Sequence, residues 1–100
     1  MSAALYLPLK AVYFGQIRAG SKREEYRLVT PHWRKRLEGR TYGRIVLTLG
    51  YPKGGGIDGV SRLTRAWRGY TVRMLTHPHF GTSPVEVFAI DVSEDLTAAC

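Results

Sequence analysis

The change of hydrophobic period at Leu9 does most to constrain what this chain can become. Leu5, Leu7 and Leu9 alternate with Tyr6, Pro8 and Lys10, the two-residue repeat of a half-buried strand, and Pro8 marks that strand as an edge. From Leu9 the spacing lengthens. Leu9, Val12, Tyr13 and Ile17 fall at helical intervals, Arg18 sits in the last turn, and Gly20 stands where a left-handed cap ends a helix. A strand that feeds directly into a short helix commits the chain to a mixed architecture.

Glycine and proline punctuate the remainder. Ser21 to Val29 has no helical stripe and reads as an extended, charged segment. Thr30 as N-cap and Pro31 at the first helical position open a second short helix, which Gly39 stops. RIVLTL at 44–49, apolar and β-branched between Gly43 and Gly50, is the clearest strand. Four glycines make 52–61 a mobile loop. Residues 62–76 read as one long strand or as two broken at Gly69. Val85 to Val92 forms a last strand, with Val85, Val87 and Ala89 opposite Glu86, Phe88 and Ile90. The expected fold is therefore α+β, a small β-barrel of about five to six strands with two short helices. One hundred residues suit a single domain over 1–100, with its core at about 4–92 and a fraying tail at 93–100.

Charge narrows the partner. The net charge is +7, and all fifteen Lys and Arg, mostly Arg, lie between Lys10 and Arg73 against four acids before residue 86. Guanidinium groups fork onto phosphates and stack on bases, so a polyanion is the natural partner. Trp33, Tyr42, Tyr51, Trp67 and Tyr70 are interleaved with Arg34, Arg44, Lys53, Arg65 and Arg68, the mixture that unpaired bases need. Tyr51, Lys53, Arg65, Trp67 and Arg68 are accordingly candidate RNA contacts.

Other classes find less support. No apolar run approaches the roughly 20 residues of a membrane span, and MSAALYLPLK lacks the basic and apolar regions of a signal peptide. The single Cys100 permits no internal disulfide, which fits a cytoplasmic setting. The glycine-rich loop lacks the spacing of a Walker or dinucleotide fingerprint, so no cofactor is expected. His77-Pro78-His79 reads as a turn with local hydrogen bonds rather than a metal site, because no further ligand is patterned around it. Ser61, His77 and Asp91 make no triad without a nucleophile elbow.

The segment Gly20-Ser21-Lys22-Arg23-Glu24-Glu25-Tyr26-Arg27 resembles the GxKxxExR signature of the ASCH family, matched by Gly20, Lys22, Glu25 and Arg27. The similarity extends over roughly residues 4–92. It implies a PUA-like barrel whose motif lines a cleft and whose role lies in RNA binding or RNA metabolism, with Lys22, Arg23, Glu25 and Arg27 at the ligand. Some proteins similar to the family are amidohydrolases acting on N4-acetylcytidine, and others are ribonucleases. If this chain is an enzyme, Lys22 and Glu25 would be its catalytic residues. Glu25 replaces the threonine of those amidohydrolases, and Asp58 and Glu86 are only guesses for their further glutamate. A ribonuclease would need His32 or His77 brought into the cleft by folding. A domain that binds an acidic protein is the remaining reading. Strict alternation places Lys22 on one strand face and Glu25 with Arg27 on the other, so a shared cleft requires Lys22 to sit at a turn before the strand begins.

Overall fold

The computed structural model describes residues 3–96. In chain order the elements are β1 (Ala4–Leu9), α1 (Ala11–Ala19), β2 (Glu24–Leu28), α2 (Pro31–Leu37), β3 (Arg44–Leu49), β4 (Arg62–Ala66), β5 (Tyr70–Leu75) and β6 (Val85–Asp91). Single 3₁₀ turns lie at Lys53–Gly55 and Pro78–Phe80. The six strands form two three-stranded sheets, ordered β1-β3-β4 and β2-β6-β5. β1 runs parallel to β3, which needs a long crossover; α1, β2 and α2 supply it. The other pairings are antiparallel.

The leucine alternation of β1 does what its period demands. Leu5, Leu7 and Leu9 point inward beside Ile45 and Leu47 of β3, and Leu63, Phe88 and Ile90 meet them from β4 and β6. Phe14 and Ile17 of α1 and Leu37 of α2 complete that core. Each fully buried side chain of this size contributes about 1.5–3 kcal/mol. The helical stripe differs from the sequence expectation. Val12 is 57% exposed, and Phe14 takes the inward position beside Ile17. Leu9 belongs to β1, so the helix starts at Ala11 with a different face inward. In β6, Val87 through Ile90 are all buried, so both faces of this strand are covered, in place of the in–out contrast that its sequence suggests.

The chain beyond β6 crosses from one sheet to the other. Val92 N–H donates to Arg23 O at 3.0 Å, Ala66 N–H to Glu94 O at 2.9 Å, and Leu96 N–H to Thr64 O at 2.8 Å. Residues 93–96, expected to fray, therefore cover the free edge of β4; residues 97–100 of that tail lie outside the described residues. Arg65 locks the crossing. It shares the inward face of β4 with Leu63, and its buried Nε donates to Val92 O at 3.0 Å and its Nη2 to Ile17 O at 3.2 Å. Nη1 lies 2.6 Å from Asp95 Oδ1. One guanidinium thus ties together α1, β4 and the segment after β6. Among the described residues, no helix is long and apolar enough to cross a membrane.

Candidate functional site

The end of α1 sets the geometry of the site. Gly20 adopts φ 86°, a left-handed cap that an L side chain resists. Ser21 and Lys22 N–H groups both donate to Gln16 O, at 3.0 and 3.2 Å, so Lys22 still belongs to the helix terminus. β2 begins two residues later, at Glu24. This is the break in alternation that a shared cleft requires, and it brings Lys22 onto the side of Glu25 and Arg27. Lys22 Nζ lies 3.7 Å from Glu25 Oε1, and Arg27 Nη2 lies 3.1 Å from Glu25 Oε2. Arg27 Nη2 also donates to Pro8 O at 3.0 Å, bridging β2 to β1.

These side chains line a cavity of about 670 Å³, within the range of small-ligand sites, between the end of β1 and the edge of β2. One wall is aromatic. Lys22 Nζ stands 4.2 Å from the Tyr26 ring centroid and 5.6 Å from that of Tyr13. Tyr13 in turn meets His77 and His79, each at 5.6 Å, and Phe80 packs against both histidines. The opposite wall comes from α2. Thr30 caps that helix by accepting from Trp33 N–H at 3.4 Å, and Trp33 supports the guanidiniums of Arg27 at 5.2 Å and Arg36 at 4.7 Å. His32 meets the Trp33 ring edge-on. Gly50, at φ 61°, turns the chain out of β3 while its N–H donates to Leu9 O, and this sets Tyr51 at the rim.

Burial dominates the proton affinities. It pushes the Glu25 carboxyl up, against the pull of Arg27 and then Lys22. It lowers Lys22, against the attraction of Glu25, and lowers Arg27 in the same way. His79 is lowered by burial and then by the positive charges of Lys10 and Arg27. Each charge of the cluster is thus held at a desolvation cost that its neighbours only partly offset. The cluster can hold a flat, hydrogen-bonding group between donors and an acceptor, or move a proton between amine and carboxylate.

No family model matches the chain, and no curated protein or solved structure matches it.

Of the residues singled out from sequence, Lys22, Glu25, Arg27 and Tyr51 come together at the cavity. Arg23 does not; its side chain is exposed and its carbonyl pairs with Val92. Lys53 lies in the exposed 3₁₀ turn away from the lining. Arg65 is committed to the core, which corrects its assignment as a ligand contact. Trp67 packs on that core edge-on to Tyr42, 5.1 Å away, and Arg68 pairs with Asp91 and Glu94. Within the aromatic–basic run at 65–70, Arg65 points inward from β4, Trp67 and Tyr70 pack against the core, and exposed Arg68 is paired with acids, so none of these four lines the cavity. Asp58 pairs with Arg62 at 2.7 Å on the far side of β3 and β4, and exposed Glu86 does not line the cavity either. His77 Nδ1 accepts from His79 N–H at 3.1 Å, the local bond expected of a turn. Sequence reasoning did not assign Tyr13, Trp33, Arg36, His79 or Phe80 to the site. The Trp33–Arg36 spacing of three on one helix was the available signal for two of them.

Proposed function

We propose that this chain is an ASCH-type, PUA-like domain that binds RNA by taking one nucleobase into the cavity around Lys22, Glu25 and Arg27. The observation that carries the reading is the convergence of those three side chains, spread over six residues of sequence, in one concave site with aromatic walls. Lys22 and Arg27 offer donors to base carbonyls, and Glu25 offers an acceptor to an exocyclic amine. Tyr13, Tyr26 and the His77 ring supply apolar faces on which a base can lie. The barrel part of the reading draws support from the 94–96 segment, which joins the second sheet to β4. It leaves the edges of β1 and β2 facing each other across the cavity. A cytoplasmic role in RNA metabolism goes with this reading.

Fluorescence anisotropy of a labelled short single-stranded RNA at low ionic strength tests it. Binding is expected to weaken with salt, by about 0.7 in log–log slope per phosphate contacted. The double variant Lys22→Met/Arg27→Gln, checked for folding by circular dichroism, is expected to lose that binding. Equal affinity of the folded double variant, or no binding by the native chain at low salt, overturns the reading.

One observation favours a second reading as a ribonuclease. His32 and His77, together with His79, line the same cavity as Lys22 and Glu25. A histidine there can remove the proton of a 2′-hydroxyl while a second acid protonates the departing 5′-oxygen. Cleavage would leave 2′,3′-cyclic phosphate ends; intact RNA after long incubation at high protein concentration removes this reading. The N4-acetylcytidine amidohydrolase reading is weaker, since Asp58 and Glu86 lie outside the cavity.

A further inference from the structure

The two oxygens of Glu25 divide the cavity into unlike ends. Oε1 faces Lys22 at 3.7 Å, and Lys22 lies over Tyr26 beside Tyr13 and His77. Oε2 faces Arg27 at 3.1 Å, and beyond Arg27 lie Trp33 and Arg36. The first end is walled by rings, with its one ammonium already paired to the carboxylate. The second end is different in kind. Trp33 supports two guanidiniums, which gathers the positive charge of Arg27 and Arg36 at this end.

The charges at that second end are not balanced from within the protein. Lys10, Lys22, Arg27 and Arg36 line the cavity, and Glu25 is the one acid among the described lining residues. The single charge of Glu25 is already shared between Lys22 and Arg27, and Arg36 makes no ion pair with an acid among the described residues. Arg36 Nη2 donates to Tyr6 O at 3.2 Å, which anchors one nitrogen of the guanidinium while its remaining N–H groups can serve an acceptor. Arg27 Nε is buried without a hydrogen-bond partner among the described residues. A neutral nucleoside would leave these cations as they are. A phosphate would offset them and supply oxygens in the geometry that a guanidinium fork fits.

We infer that the cavity takes a phosphorylated nucleotide rather than a free nucleoside, with its base at the Lys22–Tyr26 end and its phosphate at the Arg36 end. The inference rests on the RNA-binding reading and narrows it. It names the phosphate as the group that holds the ligand in register, and Arg36, which lies outside the GxKxxExR motif, as the residue that selects it. A cavity of about 670 Å³ has room for base, sugar and phosphate together.

Isothermal titration at low ionic strength tests this with the four common ribonucleosides, their 5′- and 3′-monophosphates, and inorganic phosphate as competitor. For at least one base, a monophosphate is expected to bind at least about tenfold more tightly than its nucleoside, the equivalent of one strong charged hydrogen bond. Arg36→Gln should reduce that ratio to below about threefold and weaken competition by inorganic phosphate. Arg44→Gln removes the same charge from an exposed position on the outer side of β3 and should leave the ratio unchanged. Nucleosides binding as tightly as their monophosphates would overturn the inference while leaving the nucleobase site standing. So would an undiminished ratio in Arg36→Gln. If no nucleoside, nucleotide or short RNA binds, the parent reading fails with it.

Discussion

Replacing Lys22 with methionine should stabilise the fold while abolishing ligand binding. Lys22, Glu25 and Arg27 together carry one net positive charge, so removing Lys22 leaves the matched Arg27–Glu25 pair at 3.1 Å. The Lys22–Glu25 attraction at 3.7 Å amounts to about 4 kcal/mol at the effective dielectric of a protein surface. Against it stand the desolvation of a largely buried ammonium, of several kcal/mol, and the repulsion of Arg27. Burial is the larger influence, as the lowered proton affinity of Lys22 shows. Methionine keeps the packing on Tyr13 and Tyr26, and its sulfur–ring contact of about 0.3–1.5 kcal/mol replaces a cation–π contact of similar size. The net change is a gain of about 1 kcal/mol, or a Tm higher by about 4–8 °C for a domain of this length. The gain must also depend on pH. Lys22 is lowered in the fold from 10.5, so the native state binds fewer protons than the unfolded state between the two values and native stability rises with pH there. The advantage of Lys22→Met is therefore complete below the folded value and shrinks as pH rises through it toward 10.5. Thermal and urea unfolding at pH 7 and pH 10 measure it. A variant less stable than the native chain at pH 7, or a difference that ignores pH, would refute the reasoning.

Three further outcomes follow from the same structure. Arg65→Met removes a guanidinium that satisfies two backbone carbonyls and Asp95, and should cost about 2–4 kcal/mol in urea unfolding while leaving the affinity of the folded protein for RNA intact; a selective loss of affinity would return Arg65 to the site. Glu25→Gln should flatten the stability profile above pH 4.5. The raised carboxyl contributes stability that is complete below its unfolded value and lost as pH rises through the folded one; an unchanged profile by denaturation across that window contradicts the burial of Glu25. Thr30→Ala removes the cap that accepts from Trp33 N–H and should cost about 1 kcal/mol. It should also loosen Trp33, seen as a red-shifted indole emission, and unaltered emission would mean that the cap does not position the ring.

The sequence carried the local periods well and the long-range placements poorly. Gly20, Thr30, Pro31 and Gly69 act where backbone chemistry says they must, so strand and helix limits were legible. Lys22 at the turn was legible only conditionally, because alternation demands it once Lys22 is to share a cleft with Glu25 and Arg27. Burial of both faces of β6 was not legible, since it depends on what the rest of the chain packs over each face. Arg65 shows the deeper difficulty. A charged residue between Trp67 and Leu63 looks like a surface contact until its partners, Ile17 O, Val92 O and Asp95, are brought together by three separate elements. The aromatic wall was hidden for the same reason, because Tyr13, Tyr26 and His77 meet only when α1, β2 and the turn after β5 converge.

The most direct test of base binding in the cavity is a ¹H–¹⁵N correlation spectrum of the labelled protein titrated with a short single-stranded RNA at low ionic strength. Shifts are expected to cluster at Lys22, Tyr26, Arg27, Trp33 including its indole N–H, and His77, and to saturate together. Shifts confined to the exposed basic residues Arg44 and Arg68, with the cavity silent, would contradict it.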